Sequence, residues 1–213
     1  MSPDRTAFDL DDWLAASPAA PSIVQVGATV LRRRATEVPQ PLFGTKALSR
    51  LIERMVEAMR AAPGVGLAAP QLGVPLRVFV AEDDEARMAH VPAQTRTLRG
   101  RTALPLTVVL NPEIVALGAD EAMFYEGCLS VRGYGALVRR AAAVGVTAVD
   151  HHGRPVAFRV EGWPARIMQH EGDHLDGTLY VDRMISRSFA SEAELARLAS
   201  MDVRDVLGEL VDR

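Results

Sequence analysis

The sequence has a single cysteine among its 213 residues, and it lacks several other features that would point to particular classes of protein. One cysteine cannot form an internal disulfide, so the composition favours a reducing compartment such as the cytoplasm. No apolar run approaches the roughly 20 residues that cross a bilayer. The amino-terminal stretch lacks the apolar core of a secretory signal, and its acidic run at 9–12 is unlike a transit peptide. We therefore expect a cytoplasmic protein without a membrane partner.

An excess of basic residues is also missing. The chain has 24 Lys and Arg against 27 Asp and Glu, a formal net charge of -3. Binding to nucleic acid relies on clustered cations that neutralise phosphates, so this balance argues against a nucleic-acid-binding protein. The hydrophobic fraction of 48% is that of a globular chain with a full core.

No internal repeat, low-complexity tract or linker divides the sequence, and we expect a single domain over 1–213. It would include an amino-terminal arm at 1–21, with a short amphipathic piece around Phe8 to Leu14, and a helical tail at 188–213. Apolar residues recur at helical spacing over 46–61, which predicts an amphipathic helix there. A last amphipathic helix is expected near 191–211.

Short apolar and alternating runs predict strands between these helices. The run at 24–31 predicts a strand or an extended segment, and 137–150 predicts one long, Val-rich strand region. A turn with exposed imidazoles at His151 and His152 should join this region to a strand at 155–161. Further strands are expected at 76–81, 106–110 and 113–117, the last two around a turn at Asn111-Pro112.

The stretch from 82 to 105 is polar and charged without clean periodicity, so we expect a long surface insertion. Four arginines of this stretch are predicted to form a solvated face: Arg87, Arg96, Arg99 and Arg101.

The most informative stretch is 163–177, which contains His170-Glu171-Gly172-Asp173-His174. Two histidines four residues apart lie on one face of an α-helix, where their nitrogens can bind one metal ion. Glu171 reaches the same pocket from the side. Gly162 and Pro164 suit the start of this helix, and Gly177 suits its end. Two histidines do not complete a metal site, so a third ligand is required.

Cys128 is the candidate for that ligand, although a lone cysteine without further context is more often a small buried hydrophobe. A thiolate and two imidazoles suit zinc or ferrous iron, and three protein ligands leave a position open for water, as in catalytic metal sites. A separate stretch, Pro63 to Gln71, is small, apolar and glycine-rich. Its backbone allows close approach of another chain, and Gln71 is its one polar side chain able to reach a cavity.

Three motifs together resemble those of the peptide deformylases, in order and spacing. They are Gly64-Val-Gly-Leu-Ala-Ala-Pro-Gln71, Glu126-Gly-Cys-Leu-Ser130 and His170-Glu-Gly-Asp-His174. The resemblance spans about residues 22–187 and is strongest to the mitochondrial-type branch, although the acidic amino terminus favours a bacterial member. It implies an enzyme that removes the formyl group from the N-terminal formyl-methionine of newly made polypeptides.

The resemblance also implies a role for each matched residue. Cys128, His170 and His174 would hold one metal ion per chain, usually Fe²⁺, with Zn²⁺, Ni²⁺ or Co²⁺ as substitutes. Metal-bound hydroxide would attack the formyl carbon, with Glu171 as general base and then acid. The side-chain amide of Gln71 and the backbone N–H of Leu129 would stabilise the developing oxyanion.

Formyl-methionyl nascent peptides are the expected partners, with transient ribosome contact as a further possibility. The backbone of Val65 and Gly66 and the chain after Leu129 would hold the peptide as an added strand, and Gly64 is also expected at the substrate. The remaining residues expected at the substrate, most of them around the methionine side chain, are Phe124, Glu126, Trp163 and Ile167.

The expected fold is α+β, with antiparallel sheets packed around a central metal-ligand helix, an N-terminal helix and a C-terminal helix. A buried Asp173 needs a cationic partner, for which Arg139 or Arg140 is predicted. Gly172 departs from the family, which has a large apolar residue there. Two other functions remain open from the residues alone: a His-Glu-x-x-His metallopeptidase and a non-enzymatic metal or redox sensor.

Overall fold

The computed structural model describes residues 8–18, 21–62, 64–198 and 201–210. The α-helices in these ranges are α1 (Leu10–Ala16), α2 (Lys46–Ala61), α3 (Glu85–Met88), α4 (Ala93–Leu98), α5 (Gly162–Leu175), α6 (Tyr180–Arg183), α7 (Glu192–Leu198) and α8 (Val203–Leu210). The strands are β1 (Gly66–Ala68), β2 (Val78–Asp83), β3 (Leu104–Ala116), β4 (Glu121–Cys128), β5 (Val131–Ala141), β6 (Ala143–Val149), β7 (Pro155–Glu161) and β8 (Ala190–Ser191). Short 3₁₀ helices span Thr29–Arg32, Gln40–Leu42, Ala69–Leu72 and Ser186–Ser188. None of the described helices is long and apolar enough to cross a membrane.

The strands form two antiparallel sheets. One has five strands in the order β1-β2-β3-β6-β7, and the other has three in the order β4-β5-β8. Helix α5 lies against strands of both sheets, with Ile167 and Met168 packed among the apolar side chains of β2, β3 and β6. Nine of its fourteen residues are buried, because two sheets cover it. The predicted α+β architecture around a nearly buried helix is therefore confirmed.

The predicted helix at 46–61 is confirmed as α2. Its apolar stripe, including Leu48, Leu51 and Met55, is buried, and the Thr45 hydroxyl caps its first turn by accepting from the Leu48 N–H at 3.2 Å. The amphipathic piece predicted around residues 8–14 corresponds to α1. The rest of the predicted arm, at 1–7 and 19–20, lies outside the described residues.

The predicted turn at Asn111-Pro112 is wrong, because β3 continues through it. The register between β3 and β6 shifts between Leu110 and Glu113, and Asn111 has a φ of 50°. Its side chain binds both backbone groups of Val38, at 2.8 and 3.0 Å. These bonds stabilise a bulge where the dipeptide suggested a turn.

The single strand region predicted at 137–150 is two strands in different sheets. The chain leaves the three-stranded sheet at Ala142, whose N–H donates to the Asp120 carbonyl at 2.8 Å and whose carbonyl accepts from Gly162 at 2.8 Å. The predicted turn at 151–154 and strand at 155–161 are confirmed. In the segment at 24–31, the Val24 and Val26 N–H groups donate to the carbonyls of Gln71 and Ser130, both at 2.8 Å, while Thr29–Arg32 is a 3₁₀ helix.

The last helix predicted near 191–211 is two helices, α7 and α8. The Asp202 carboxylate accepts from the Arg204 N–H at 2.8 Å and so starts the second helix. Leu198 of α7 and Val206 of α8 pack into one cluster. The expected surface insertion also has structure of its own, since it contains α3 and α4.

Candidate metal centre and active site

Cys128, His170 and His174 come together as predicted. Helix α5 supplies both histidines one turn apart, and Cys128 lies where β4 ends and the hairpin to β5 begins. One ligand atom of each residue lies within 4.8 Å of the other two, and Cys128 Sγ is 3.3 Å from His174 Nε2. Ligands of one tetrahedral ion with metal bonds of about 2.0–2.3 Å are separated by roughly 3.5 Å. The spacing and the soft donor set therefore fit a metal ion, and this is the one such cluster in the described part of the chain.

The two histidines differ in the direction of their pKa shifts. Burial, followed by the charge of His170, lowers the pKa of His174 well below its ordinary value, which keeps this imidazole neutral for ligation. Burial lowers the pKa of His170, but the interactions with Cys128 and Glu126 outweigh it and raise that pKa well above the ordinary value. A metal ion bound through His170 would take the place of the proton that this shift favours.

Glu126 holds His170 in its orientation. One carboxylate oxygen lies 3.0 Å from His170 Nδ1, which leaves Nε2 for the metal. Arg140 binds the same carboxylate through two nitrogens at 2.9 Å each, and Arg166 adds a contact of 2.5 Å. Burial alone would raise the pKa of Glu126, yet the bonds from Arg140 and His170 hold it far below its usual range. Glu126 lines the cleft, and both of its carboxylate oxygens bind other side chains of the protein, so it supports His170 while its predicted contact with substrate stays a prediction.

A second buried carboxylate anchors the ligand helix. Asp173 contacts Arg140 at 2.5 Å and Arg183 through two nitrogens at 2.7 Å each. The predicted pairing of Asp173 with Arg139 or Arg140 is therefore confirmed for Arg140. Arg139 instead lies at the surface, 3.6 Å from Glu121.

Glu171 lies beside the ligands with 4% of its surface exposed. It packs against the backbone of Gly66, where a Cβ atom would lie only 2.3 Å from its Oε1. No described group hydrogen-bonds its other oxygen, Oε2. In the metal-free protein, burial raises the pKa of Glu171 to about 7. Glu171 is thus a carboxylate that can take up and release a proton near neutral pH.

Gln71 presents an amide nitrogen to the same site. Its Oε1 accepts from the Ala68 N–H at 2.8 Å, which fixes the orientation of the amide. Its Nε2 donates to the Ser130 hydroxyl at 3.2 Å and lies 3.7 Å from Cys128 Sγ. The neighbouring loop is held where Gln25 donates to the Leu129 carbonyl at 3.1 Å. Fully buried Ser130 was missed as a positioning residue, because its contact to Gln71 joins residues 59 apart in the chain.

A cleft of about 670 Å³ opens beside these residues. Of the residues predicted at the substrate, those that line it are Gly64, Val65, Gly66, Glu126, Trp163 and Ile167. Phe124 does not line the cleft but contacts Trp163, with ring centroids 6.4 Å apart. The sequence analysis missed other lining residues, including Arg99, Arg132, Tyr134 and Leu195. Arg166 also escaped prediction, although it lies four residues before His170 and so on the same helix face.

Gly172 has a packing explanation. A Cβ atom at this position would lie 2.8 Å from Ile114 Cδ1, so α5 approaches β3 closely here. A larger residue would require the end of the Ile114 side chain to move. The absence of a side chain at Gly172 therefore allows α5 to pack closely against β3, and the positions of His170 and His174 do not depend on it.

Comparisons with known proteins agree with one another. The family model described as polypeptide deformylase matches residues 20–190. The chain is 53% identical over 182 residues to peptide deformylase 1 of Streptomyces coelicolor, which covers 84% of this chain and 79% of that protein. It is 44% identical over 177 residues to the chloroplastic peptide deformylase 1A of Solanum lycopersicum, covering 83% of this chain but 64% of that relative. Among solved structures, a Met-Ala-Ser-bound class I type b peptide deformylase from Acinetobacter baumannii matches with a TM-score of 0.69 and 31% identity, over 78% of this chain and 98% of that one.

Proposed function

We propose a residue-level mechanism for this chain, which belongs to the polypeptide deformylase family. As a peptide deformylase, it removes the formyl group from N-terminal formyl-methionine. Cys128, His170 and His174 hold the metal. The observation that carries this proposal is the convergence of their three ligand atoms within 4.8 Å, beside the buried carboxylate of Glu171.

Ferrous iron is the proposed native metal, with zinc, nickel or cobalt able to replace it. A thiolate with two imidazoles is a suitable donor set for each of these ions. When bound, the ion supplies Lewis-acid chemistry and an activated water.

Glu171 is the proposed general base and acid. It accepts a proton as water adds to the formyl carbon, and it returns that proton to the departing amine as the C–N bond breaks. The products are formate and a free amino terminus. The contact with Gly66 keeps the carboxylate out of bulk water and close to the ligands.

Gln71 Nε2 and the Leu129 N–H are the proposed hydrogen-bond donors to the formyl oxygen as negative charge develops on it. The bond from Ala68 orients the Gln71 amide before substrate binds, so little reorganisation is needed. Loss of one such donor in other enzymes raises the barrier by about 3–4 kcal/mol.

The peptide is proposed to bind as an added strand along Gly64, Val65 and Gly66. Val65, Trp163 and Ile167 line the cleft and form the proposed methionine pocket, and Phe124 makes an edge-to-face contact with Trp163. The enzyme meets its substrates in the cytoplasm, where formylated chains are made. Transient ribosome contact belongs to the same proposal.

The test is metal analysis of anaerobically purified protein together with formate release from formyl-Met-Ala-Ser. We expect His174→Ala to lose both the metal and formate release. His152→Ala changes an exposed turn imidazole and is the matched control, which should keep both. Stoichiometric metal with full turnover in His174→Ala would refute the assigned metal centre.

A further inference from the structure

The segment from Asp84 to Arg101 is largely exposed, but it places one residue, Arg99, in the wall of the substrate cleft, and Arg87 and Arg101 form ion pairs where the sequence suggested a solvated face. At one end, Arg87 donates to the Gly64 carbonyl at 2.7 Å and to Glu82 at 3.2 Å. At the other end, Arg101 binds the fully buried Asp83 through two nitrogens at 2.7 and 2.9 Å. Two consecutive acids at the end of β2 therefore hold both ends of the segment.

A close backbone contact fixes the segment against the start of α5. The Gly100 carbonyl accepts from the Trp163 N–H at 3.2 Å, and a Cβ atom on Gly162 would lie 2.3 Å from that carbonyl oxygen. Both glycines have positive φ, +54° and +63°, a conformation that side chains disfavour. The residue before Gly100 is consequently held above the Trp163 ring.

That residue, Arg99, places a guanidinium in the cleft wall. Its Cζ lies 4.8 Å from the Trp163 ring centroid and 5.9 Å from that of Phe124. Burial, and then the nearby charge of Arg101, lower its pKa from the ordinary value. In the part of the chain that the structure describes, no carboxylate forms an ion pair with it. Arg166, by contrast, is neutralised by Glu126 at 2.5 Å.

An unpaired, partly desolvated guanidinium in a substrate cleft is suited to a carboxylate, which it can bind through two parallel hydrogen bonds. A peptide with its formyl group at the ligands and its methionine against Trp163 brings its next residues within reach of this side chain. This step rests on the proposed binding mode of the peptide.

We propose that Arg99 is a specificity-determining residue that binds an acidic side chain at one of the two positions after formyl-methionine. The folded segment from Asp84 to Arg101 thereby selects among nascent chains. The enzyme favours formyl-Met peptides that continue with Asp or Glu over those that continue with Lys.

The test compares kcat/KM for formyl-Met-Asp-Ser with formyl-Met-Lys-Ser, and for formyl-Met-Ala-Asp with formyl-Met-Ala-Lys. We expect the wild-type enzyme to favour the acidic peptide about tenfold in at least one pair, the ratio that one charge-assisted hydrogen bond supplies. Arg99→Gln should bring that ratio close to one, and Arg99→Lys should retain part of it. Arg96→Gln is the matched control, because Arg96 lies on α4 three residues before Arg99, approaches Glu85 at 4.0 Å and does not line the cleft.

A binding measurement separates this inference from the chemistry. Calorimetric affinities for the product peptides Met-Asp-Ser, Met-Lys-Ser, Met-Ala-Asp and Met-Ala-Lys should show the same preference and the same loss in Arg99→Gln. Equal values for the acidic and lysine peptides in the wild type would overturn the proposal, and so would a preference that survives in Arg99→Gln. Failure of every peptide to release formate from metal-loaded enzyme would instead overturn the proposed function, while the product affinities still decide the role of Arg99.

Discussion

At the scale of single residues, Glu171 differs from the other acids of the site because nothing in the described structure neutralises it. Glu126 and Asp173 each bind two arginines, and both serve to hold α5 and His170 in place. Glu171 has no such partner and lies against the Gly66 backbone. Two of these acids, Glu126 and Asp173, therefore hold α5 and His170 in position, and the third, Glu171, is free to exchange a proton.

Glu171→Gln should keep the metal and lose most of the turnover. The amide copies the shape of the carboxylate but cannot accept a proton, and general acid–base catalysis contributes about 10²–10⁴-fold in rate. The measurement is kcat for formyl-Met-Ala-Ser alongside metal content per chain. Glu161→Gln, an exposed acid just before α5, is the control and should behave as the wild type. A Glu171→Gln protein that lost its metal would show that Glu171 is a ligand or a structural support instead.

The three candidate metal ligands could be predicted to lie together because their chemistry is encoded locally. Two histidines four residues apart on a helix require no knowledge of the fold, and the single cysteine leaves one choice of thiolate. Ser130 and Arg99 act through contacts that depend on where distant segments meet. Arg99 reaches the cleft because Gly100 contacts Gly162, which is 62 residues later in the chain. Hydrophobic periodicity in the sequence does not predict that contact.

At the scale of secondary-structure elements, buried ion pairs attach α5 to β4, β5 and α6. Arg140 on β5 binds Glu126 on β4 and Asp173 on α5, and Arg183 on α6 binds Asp173 from the other side. Removing one member of such a network leaves another charge buried without its partner, which is costly.

Asp173→Ala should therefore lower the free energy of unfolding by about 3 kcal/mol, the lower end of the range for breaking a buried ion pair. Turnover per folded molecule should fall far less, because Glu126 still orients His170. Glu121→Ala removes the exposed partner of Arg139 and should cost less than about 1 kcal/mol. Denaturant unfolding together with active-site titration makes the comparison. Unchanged stability with a crippled turnover number would contradict the anchoring role of Asp173.

The network also predicts acid sensitivity. The pKa of Glu126 in the folded protein lies far below its ordinary value of 4.5, so its contribution to stability is fully present above pH 4.5. That contribution is lost progressively as the pH falls from there toward the folded-state pKa. Glu126→Gln should be less stable at neutral pH and should lose less stability than the wild type between pH 5 and about 3. Parallel stability curves for the two proteins over that window would contradict this assignment.

Elements were predicted well where one local pattern decides them and poorly where tertiary contacts do. Helix α2 and the hairpin of β6 and β7 follow from periodicity and turn residues. The break at Ala142 does not, because the apolar alternation continues while the backbone changes sheets. The bulge at Asn111 depends on Val38, which is 73 residues away. Asn-Pro alone indicates a turn, and sequence offers no sign of this partner.

At the scale of the whole molecule, the site lies where the two sheets meet α5. The three-stranded sheet supplies Cys128, the five-stranded sheet begins at Gly66, and α5 supplies both histidines and Glu171. A metal ligated in this way would join the smaller sheet to the central helix. Metal binding should thus stabilise the folded protein as well as activate the enzyme. An ion that binds only the folded state shifts the folding equilibrium toward that state.

The last prediction concerns the identity of that metal. Protein loaded with ferrous iron should be active but short-lived in air, because both the iron and the partly exposed Cys128 thiolate are open to oxidation. Nickel or cobalt should preserve turnover and extend the half-life, since both resist one-electron oxidation at this site better than ferrous iron. Zinc should bind well and turn over more slowly, because it favours a closed tetrahedral arrangement. The measurement is turnover and half-life in air for protein reconstituted with each ion, with anaerobic samples as the reference. Equal lifetimes for the iron and nickel forms would contradict oxidation as the cause of inactivation. Full activity after complete metal removal would show that the reaction does not need a metal.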